Sequence, residues 1–134
     1  MHEPSGLGLL HLVGVLLFGV GVLVEALADW QLVRFKQLPE NKGKVLSAGL
    51  WRYSRHPNYF GEAVLWWGFG VFAVPSGGVW LLLVPVAMTV LLLRVSGVTL
   101  LEKDIHERRP DYQSYIRNTP AFVPWKPTGE VRFP

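Results

Sequence analysis

The sequence contains no cysteine, which excludes disulfide bonds, thiol catalysis and zinc–thiolate sites. Charged residues are also scarce: they make up 17% of the 134 residues, against about 25% in an average soluble domain. Half of the residues are hydrophobic, and the mean hydropathy is +0.27. This composition predicts a single domain that is solvated largely by lipid rather than by water.

Three well-known signatures of soluble cofactor and metal sites are missing, namely the dinucleotide fingerprint GxGxxG, the P-loop and the zinc motif HExxH. Glu102 and His106 share a helix face at spacing i, i+4, but His56 is the only further histidine expected on the same side of the membrane. We therefore expect no metal ion, and we expect any cofactor to be held at the membrane edge.

Residues 7–28 form an apolar run of 22 residues that is interrupted only by His11 and Glu25. At about 1.5 Å per residue, a helix of this length spans a hydrocarbon core of roughly 30 Å. The alternative is a secretory signal peptide, because Ala26-Leu27-Ala28 resembles a cleavage site. No basic segment precedes the run, however, and it exceeds the usual length of about 7–15 residues. The run therefore predicts a transmembrane helix.

Two further spans are predicted at 57–74 and 79–101, separated by a turn at 75–78 that is rich in proline and glycine. Pro57 is a favourable first residue for the second helix. Pro85 predicts a kink in the third helix.

All thirteen Lys and Arg residues follow Val33, six of them in 34–55 and seven in 94–132. Under the positive-inside rule, this places the N-terminus outside and the C-terminus in the cytoplasm. The fold class predicted is an all-α integral membrane protein with about three transmembrane helices, a basic inside loop at 29–56 and an inside amphipathic C-terminal tail at 102–134. Since topology explains the basic residues, we expect no nucleic-acid binding.

The densest group of polar and aromatic residues, 49–62, lies where the inside loop meets the second span. A helix beginning at Pro57 would direct its free N–H groups and positive dipole end at this group, which suits an anionic ligand. The guanidinium of Arg55 would reinforce such a site. The alternative is an interfacial belt at headgroup depth without any ligand, and composition alone favours the belt.

Individual residues of this group have both chemical and structural interpretations. His56 suits general acid or base chemistry, or it fixes the turn before the helix. Asn58 suits a helix cap, or recognition of a carboxamide or a purine edge. Glu62 enters the membrane and needs a partner there, for which Arg55 is a candidate.

The block Gly49-Leu50-Trp51-Arg52-Tyr53-Ser54-Arg55-His56-Pro57-Asn58-Tyr59-Phe60-Gly61-Glu62 also carries a family resemblance. Together with other blocks between about residues 29 and 125, it resembles the DUF1295 family of integral-membrane proteins, in the superfamily of steroid 5-alpha-reductases and sterol reductases. Those other blocks are Asp29-Trp30-Gln31, Phe35-Lys36, Trp66-Trp67-Gly68, Val95-Ser96-Gly97, Leu100-Leu101-Glu102-Lys103, Arg109-Pro110-x-Tyr112-x-x-Tyr115 and Pro124.

The resemblance implies that two enzyme classes share one cofactor-binding region. Reductases of the superfamily use NADPH, whereas its isoprenylcysteine carboxyl and phospholipid methyltransferases use S-adenosylmethionine. Asn58-Tyr59, Glu62 and Glu102-Lys103 look more like the reductase branch. The resemblance therefore implies NADPH-dependent reduction of a carbon–carbon double bond in a steroid- or lipid-like substrate. The alternatives are a membrane methyltransferase and a non-catalytic membrane subunit.

The chain resembles the C-terminal cofactor half of the superfamily, so a partner subunit or a second copy would complete the substrate cavity. The resemblance leaves the catalytic residue unassigned, with Tyr59 and His56 as candidates. The residues that it places around the cofactor are Arg34, Lys36, Arg55, His56, Asn58, Tyr59, Glu62, Glu102, His106 and Tyr115.

Overall fold

The computed structural model describes residues 8–96 and 110–127, and the regular structure in these ranges is helical, without a strand. Helix α1 spans Leu9–Gln37, α2 spans Pro57–Gly77, α3 spans Leu83–Val90 and α4 spans Pro110–Asn118. Short 3₁₀ turns precede α2 at Gly49–Arg52 and α3 at Val79–Leu82.

Helix α1 is longer than the apolar run that predicted it. It continues to Gln37, so residues 29–37, which we predicted as part of the inside loop, are helical. No proline or glycine lies between Ala28 and Pro39, and the residue before a proline favours an extended backbone. Leu38 has that backbone, with φ −86° and ψ 121°, and it ends the helix.

Helix α2 begins at Pro57, as predicted, but continues through Pro75 to Gly77. Of the turn predicted at 75–78, only Gly78 lies outside the helical segments, and its φ of +100° favours glycine. A proline in the last turn removes one helical hydrogen bond, but here it does not end the helix.

The third predicted span is not one kinked helix in the described residues. A 3₁₀ turn, α3 and a π-helical turn at Leu91–Ser96 follow one another, and residues 97–101 lie outside the described part. Pro85 lies in the first turn of α3, where its missing N–H has no helical partner to lose. Pro85 thus stands at the beginning of a helix rather than at a kink.

Within the described residues, α1 is the one helix that is long and apolar enough to cross a membrane, and only 11% of its apolar segment is buried inside the protein. The three-span topology and the orientation of the termini stay predictions.

Helices α1 and α2 are antiparallel and their backbones approach closely at paired glycines. A Cβ atom added to Gly14 would lie 2.7 Å from the carbonyl oxygen of Gly68, and one added to Gly21 would lie 2.6 Å from that of Gly61. Small residues permit this contact between helices in a membrane. The pairing brings the C-terminal end of α1 beside the first turn of α2.

Candidate functional site

A cavity of about 910 Å³ opens beside the C-terminal end of α1. Its walls come from the end of α1 and the loop that follows, from the turn at Gly49–Arg52, from the start of α2 and from α4. Small-molecule sites have volumes of about 300–1,000 Å³, so this cavity is large enough for a cofactor.

The end of α1 holds the turn at Gly49–Arg52 through two hydrogen bonds. The N–H of Leu50 donates to Oε1 of Gln31 at 3.1 Å, and Nε1 of Trp51 donates to the carbonyl oxygen of Ala28 at 3.1 Å. Gln31 belongs to the helical extension that the apolar pattern does not predict, so the wall depends on that extension.

The indole N–H of Trp51 supports the wall, so replacing Trp51 with Phe should destabilise the protein. Trp51 is buried, and the change leaves the carbonyl oxygen of Ala28 without this donor. We expect a loss of about 1 kcal/mol in the free energy of unfolding, measured as a lower thermal midpoint in detergent. Trp80→Phe is the matched control because Trp80 is 65% exposed. Equal midpoints for the two variants would contradict this role.

The amide of Asn58 is oriented by a residue of α1. Its Nδ2 donates to Oδ1 of Asp29 at 3.1 Å, and its Oδ1 accepts from the N–H of Tyr59 at 3.0 Å. The amide oxygen is thus engaged within the protein, and an Nδ2 proton is left to donate to a ligand. Asn58 is the second residue of α2, and the cap position belongs to His56.

His56 and Arg55 are buried side chains of the cavity wall, with exposures of 5% and 9%. The imidazole of His56 stacks on the ring of Tyr59 at 5.8 Å, and Nε of Arg55 donates to the carbonyl oxygen of Thr119 at 3.1 Å. Residues of an interfacial belt would be exposed to lipid headgroups. The burial of these two side chains favours a built site over the belt.

The charged residues among the described lining of the cavity are all cations. Its described lining includes the cations Lys36, Lys42, Lys44 and Arg55 and no carboxylate. The positive dipole end of α2 lies at the same wall. An anionic ligand therefore fits the cavity better than a cationic one.

Tyr115 connects α4 to the same wall. Its hydroxyl contacts the carbonyl oxygen of Trp51 and donates to that of Ser54 at 3.1 Å. Beyond α4, residues 119–125, which we call the strap, have no regular structure but are hydrogen-bonded to residues 53–55. The C-terminal tail predicted at 102–134 thus includes the short helix α4, and the strap that follows α4 packs on the site.

The structure brings six of the ten predicted cofactor residues to the cavity: Lys36, Arg55, His56, Asn58, Tyr59 and Tyr115. Arg34 is not among the lining residues, and its guanidinium lies 5.4 Å from the ring centre of Trp30. Glu62 does not line the cavity either. Glu102 and His106 lie outside the described residues.

Lys42 and Lys44 were not predicted as lining residues, because the positive-inside rule already explained their charge. Asp29 was not predicted as the partner of Asn58. The available signals were the position of the two lysines shortly after Pro39 and the presence of Asp29 in a block of the resemblance.

The family model described as "Protein of unknown function (DUF1295)" matches residues 2–119. A probable O-methyltransferase, ustE of Ustilaginoidea virens, is 38% identical over 65 residues, which are 48% of this chain and 22% of that protein. The steroid 5-alpha-reductase DET2 of Gossypium hirsutum is 40% identical over 60 residues, which are 45% of this chain and 23% of that protein. The chain thus spans under a quarter of the length of either relative. No solved structure matches the chain.

The family match covers α1, α2, α4 and the described residues that line the cavity. The two relatives come from the reductase and methyltransferase branches of one superfamily. The chain therefore belongs to the DUF1295 family, within the superfamily of steroid reductases and isoprenylcysteine methyltransferases.

Proposed function

We propose that this protein is a multi-pass membrane reductase that binds NADPH in the cavity and acts on a carbon–carbon double bond of a steroid- or lipid-like substrate. The observation that carries the proposal is the charge of the cavity, with four cations and no carboxylate among its described lining residues. NADPH has several phosphate charges, whereas the sulfonium of S-adenosylmethionine is itself a cation. The relative from the reductase branch supports the same choice.

The amide of Asn58 and the side chain of Lys36 lie at different heights along α1. Asp29, which holds Asn58, and Lys36 are seven residues apart in α1, or about 10 Å along the helix axis. The phosphates would be held by Lys36, Lys42 and Lys44, and the free Nδ2 proton of Asn58 suits the carbonyl oxygen of a carboxamide. When bound, NADPH supplies the hydride.

The burial of Arg55 and His56, and the bond of Arg55 to Thr119 of the strap, would fix the wall that the cofactor meets. The proposal includes an outside N-terminus, a cytoplasmic C-terminus and a partner subunit or second copy that completes the substrate cavity. A methyltransferase that uses S-adenosylmethionine is the second candidate, because a probable O-methyltransferase is among the relatives.

Equilibrium binding of NADPH and S-adenosylmethionine to the detergent-purified chain tests the proposal. We expect selective binding of NADPH, weakened about tenfold in Asn58→Ala by the loss of one hydrogen bond to the ligand. Asn118→Ala is the matched control, because Asn118 bonds to Ser114 and does not line the cavity. Selective binding of S-adenosylmethionine would favour the methyltransferase. A folded chain that binds neither cofactor would favour a non-catalytic subunit.

A further inference from the structure

The hydroxyl of Ser54 joins two segments that are far apart in the sequence. Its Oγ donates to the carbonyl oxygen of Phe122 in the strap at 2.6 Å and accepts from the N–H of His56 at 3.1 Å. The side chain is fully buried, with 0% exposure. Ser54 itself does not line the cavity, but the next two residues, Arg55 and His56, do.

Two backbone hydrogen bonds extend this connection. The N–H of Arg55 donates to the carbonyl oxygen of Pro120 at 2.9 Å, and the N–H of Trp125 donates to that of Tyr53 at 3.1 Å. The side chain of Arg55 adds a third bond, to the carbonyl oxygen of Thr119. The strap is thus hydrogen-bonded to residues 53–55, next to the part of the cavity wall that Arg55 and His56 form.

We propose that Ser54 is a positioning residue through which the strap sets the affinity of the cavity for NADPH, an inference that rests on the proposed function. A buried donor or acceptor that loses its partner is costly, so the protein rearranges around the lost bond. Without the hydroxyl, the carbonyl of Phe122 and the N–H of His56 both lose this partner. The strap then loosens and the positions of Arg55 and His56 are no longer fixed from behind.

The first test compares Ser54→Ala with Ser76→Ala, because Ser76 is exposed near the far end of α2. We expect Ser54→Ala to bind NADPH about tenfold more weakly and to exchange the amide hydrogens of residues 119–127 faster. Ser76→Ala should match the parent chain in both measurements. Affinity is measured well below the unfolding temperature, because a purely structural role would lower the thermal midpoint without changing the affinity of the folded protein.

A second pair of variants tests the strap without changing Ser54. Trp125→Pro removes the N–H that donates to Tyr53, whereas Trp125→Ala keeps it. The side chain of Trp125 is 72% exposed, so its own loss should matter little. We expect weaker NADPH binding and faster amide exchange in Trp125→Pro, and parental values in Trp125→Ala.

The outcomes separate this proposal from the proposed function. If the parent chain binds NADPH and both Ser54→Ala and Trp125→Pro bind it equally well, the positioning role is wrong while the proposed function stands. Loss of affinity in Ser54→Ala without faster exchange in the strap would also overturn the role assigned to the strap. If the folded parent chain binds no NADPH, the proposed function fails and the claim about affinity fails with it.

Discussion

Replacing Lys42 and Lys44 together with Gln should weaken NADPH binding by about tenfold or more at low salt. Both lysines line the cavity, in the loop directly after α1. Charge-assisted hydrogen bonds to phosphate are stronger than neutral ones, and salt screens them where they are exposed. The affinity of the double variant should therefore also depend less on salt. Titration of NADPH fluorescence at low and high salt measures both effects.

The matched control removes two cations that do not line the cavity. Arg34 lies over the ring of Trp30, and Lys126 follows the strap. Arg34→Gln together with Lys126→Gln lowers the net charge by the same amount but should leave the affinity unchanged. Equal losses in the two double variants would mean that net charge, rather than the cavity, attracts the cofactor.

Gly21→Ala should destabilise the protein strongly, whereas Gly19→Ala should not. A Cβ atom at Gly21 would lie 2.4 Å from the backbone nitrogen of Leu65, and at Gly19 it would meet nothing within 4 Å. Helices α1 and α2 would have to separate to admit the methyl group, at a cost of about 1–3 kcal/mol. The thermal midpoint and the denaturant midpoint in detergent measure the difference.

The control in this pair is informative because both changes have the same intrinsic helix propensity. Gly19→Ala should leave the midpoint unchanged or raise it, since Ala favours a helix over Gly by up to about 1 kcal/mol. Equal midpoints for the two variants would contradict the close packing of α1 on α2. NADPH affinity should fall in Gly21→Ala as well, because that packing sets the first turn of α2 beside the end of α1.

The sequence predicts helix starts better than helix ends in this protein. The start of α2 was predicted correctly because proline is favoured in the first turn of a helix, so Pro57 alone indicates it. No such residue marks the end of α1 in the apolar pattern. The apolar run stops at Ala28, which marks the expected edge of the hydrocarbon, but the helix continues to Gln37 because nothing breaks it before Pro39.

The site was predicted where its residues are close in the sequence and missed where they are not. The group at 49–62 is dense enough to stand out, and five of its members line the cavity: Trp51, Arg55, His56, Asn58 and Tyr59. The bond between Ser54 and Phe122 joins residues 68 positions apart. Hydrophobic periodicity and spacing describe local segments, so they cannot place the strap against the motif.

Differential acetylation of lysines, with and without NADPH, tests the central claim most directly. We expect bound NADPH to protect Lys36, Lys42 and Lys44 from an amine-reactive reagent, because phosphates would occupy the space between these lining residues. Lys126 is exposed, does not line the cavity and serves as the control in the same molecule. If saturating NADPH changed the modification of Lys36, Lys42 and Lys44 no more than that of Lys126, the result would contradict the proposed site.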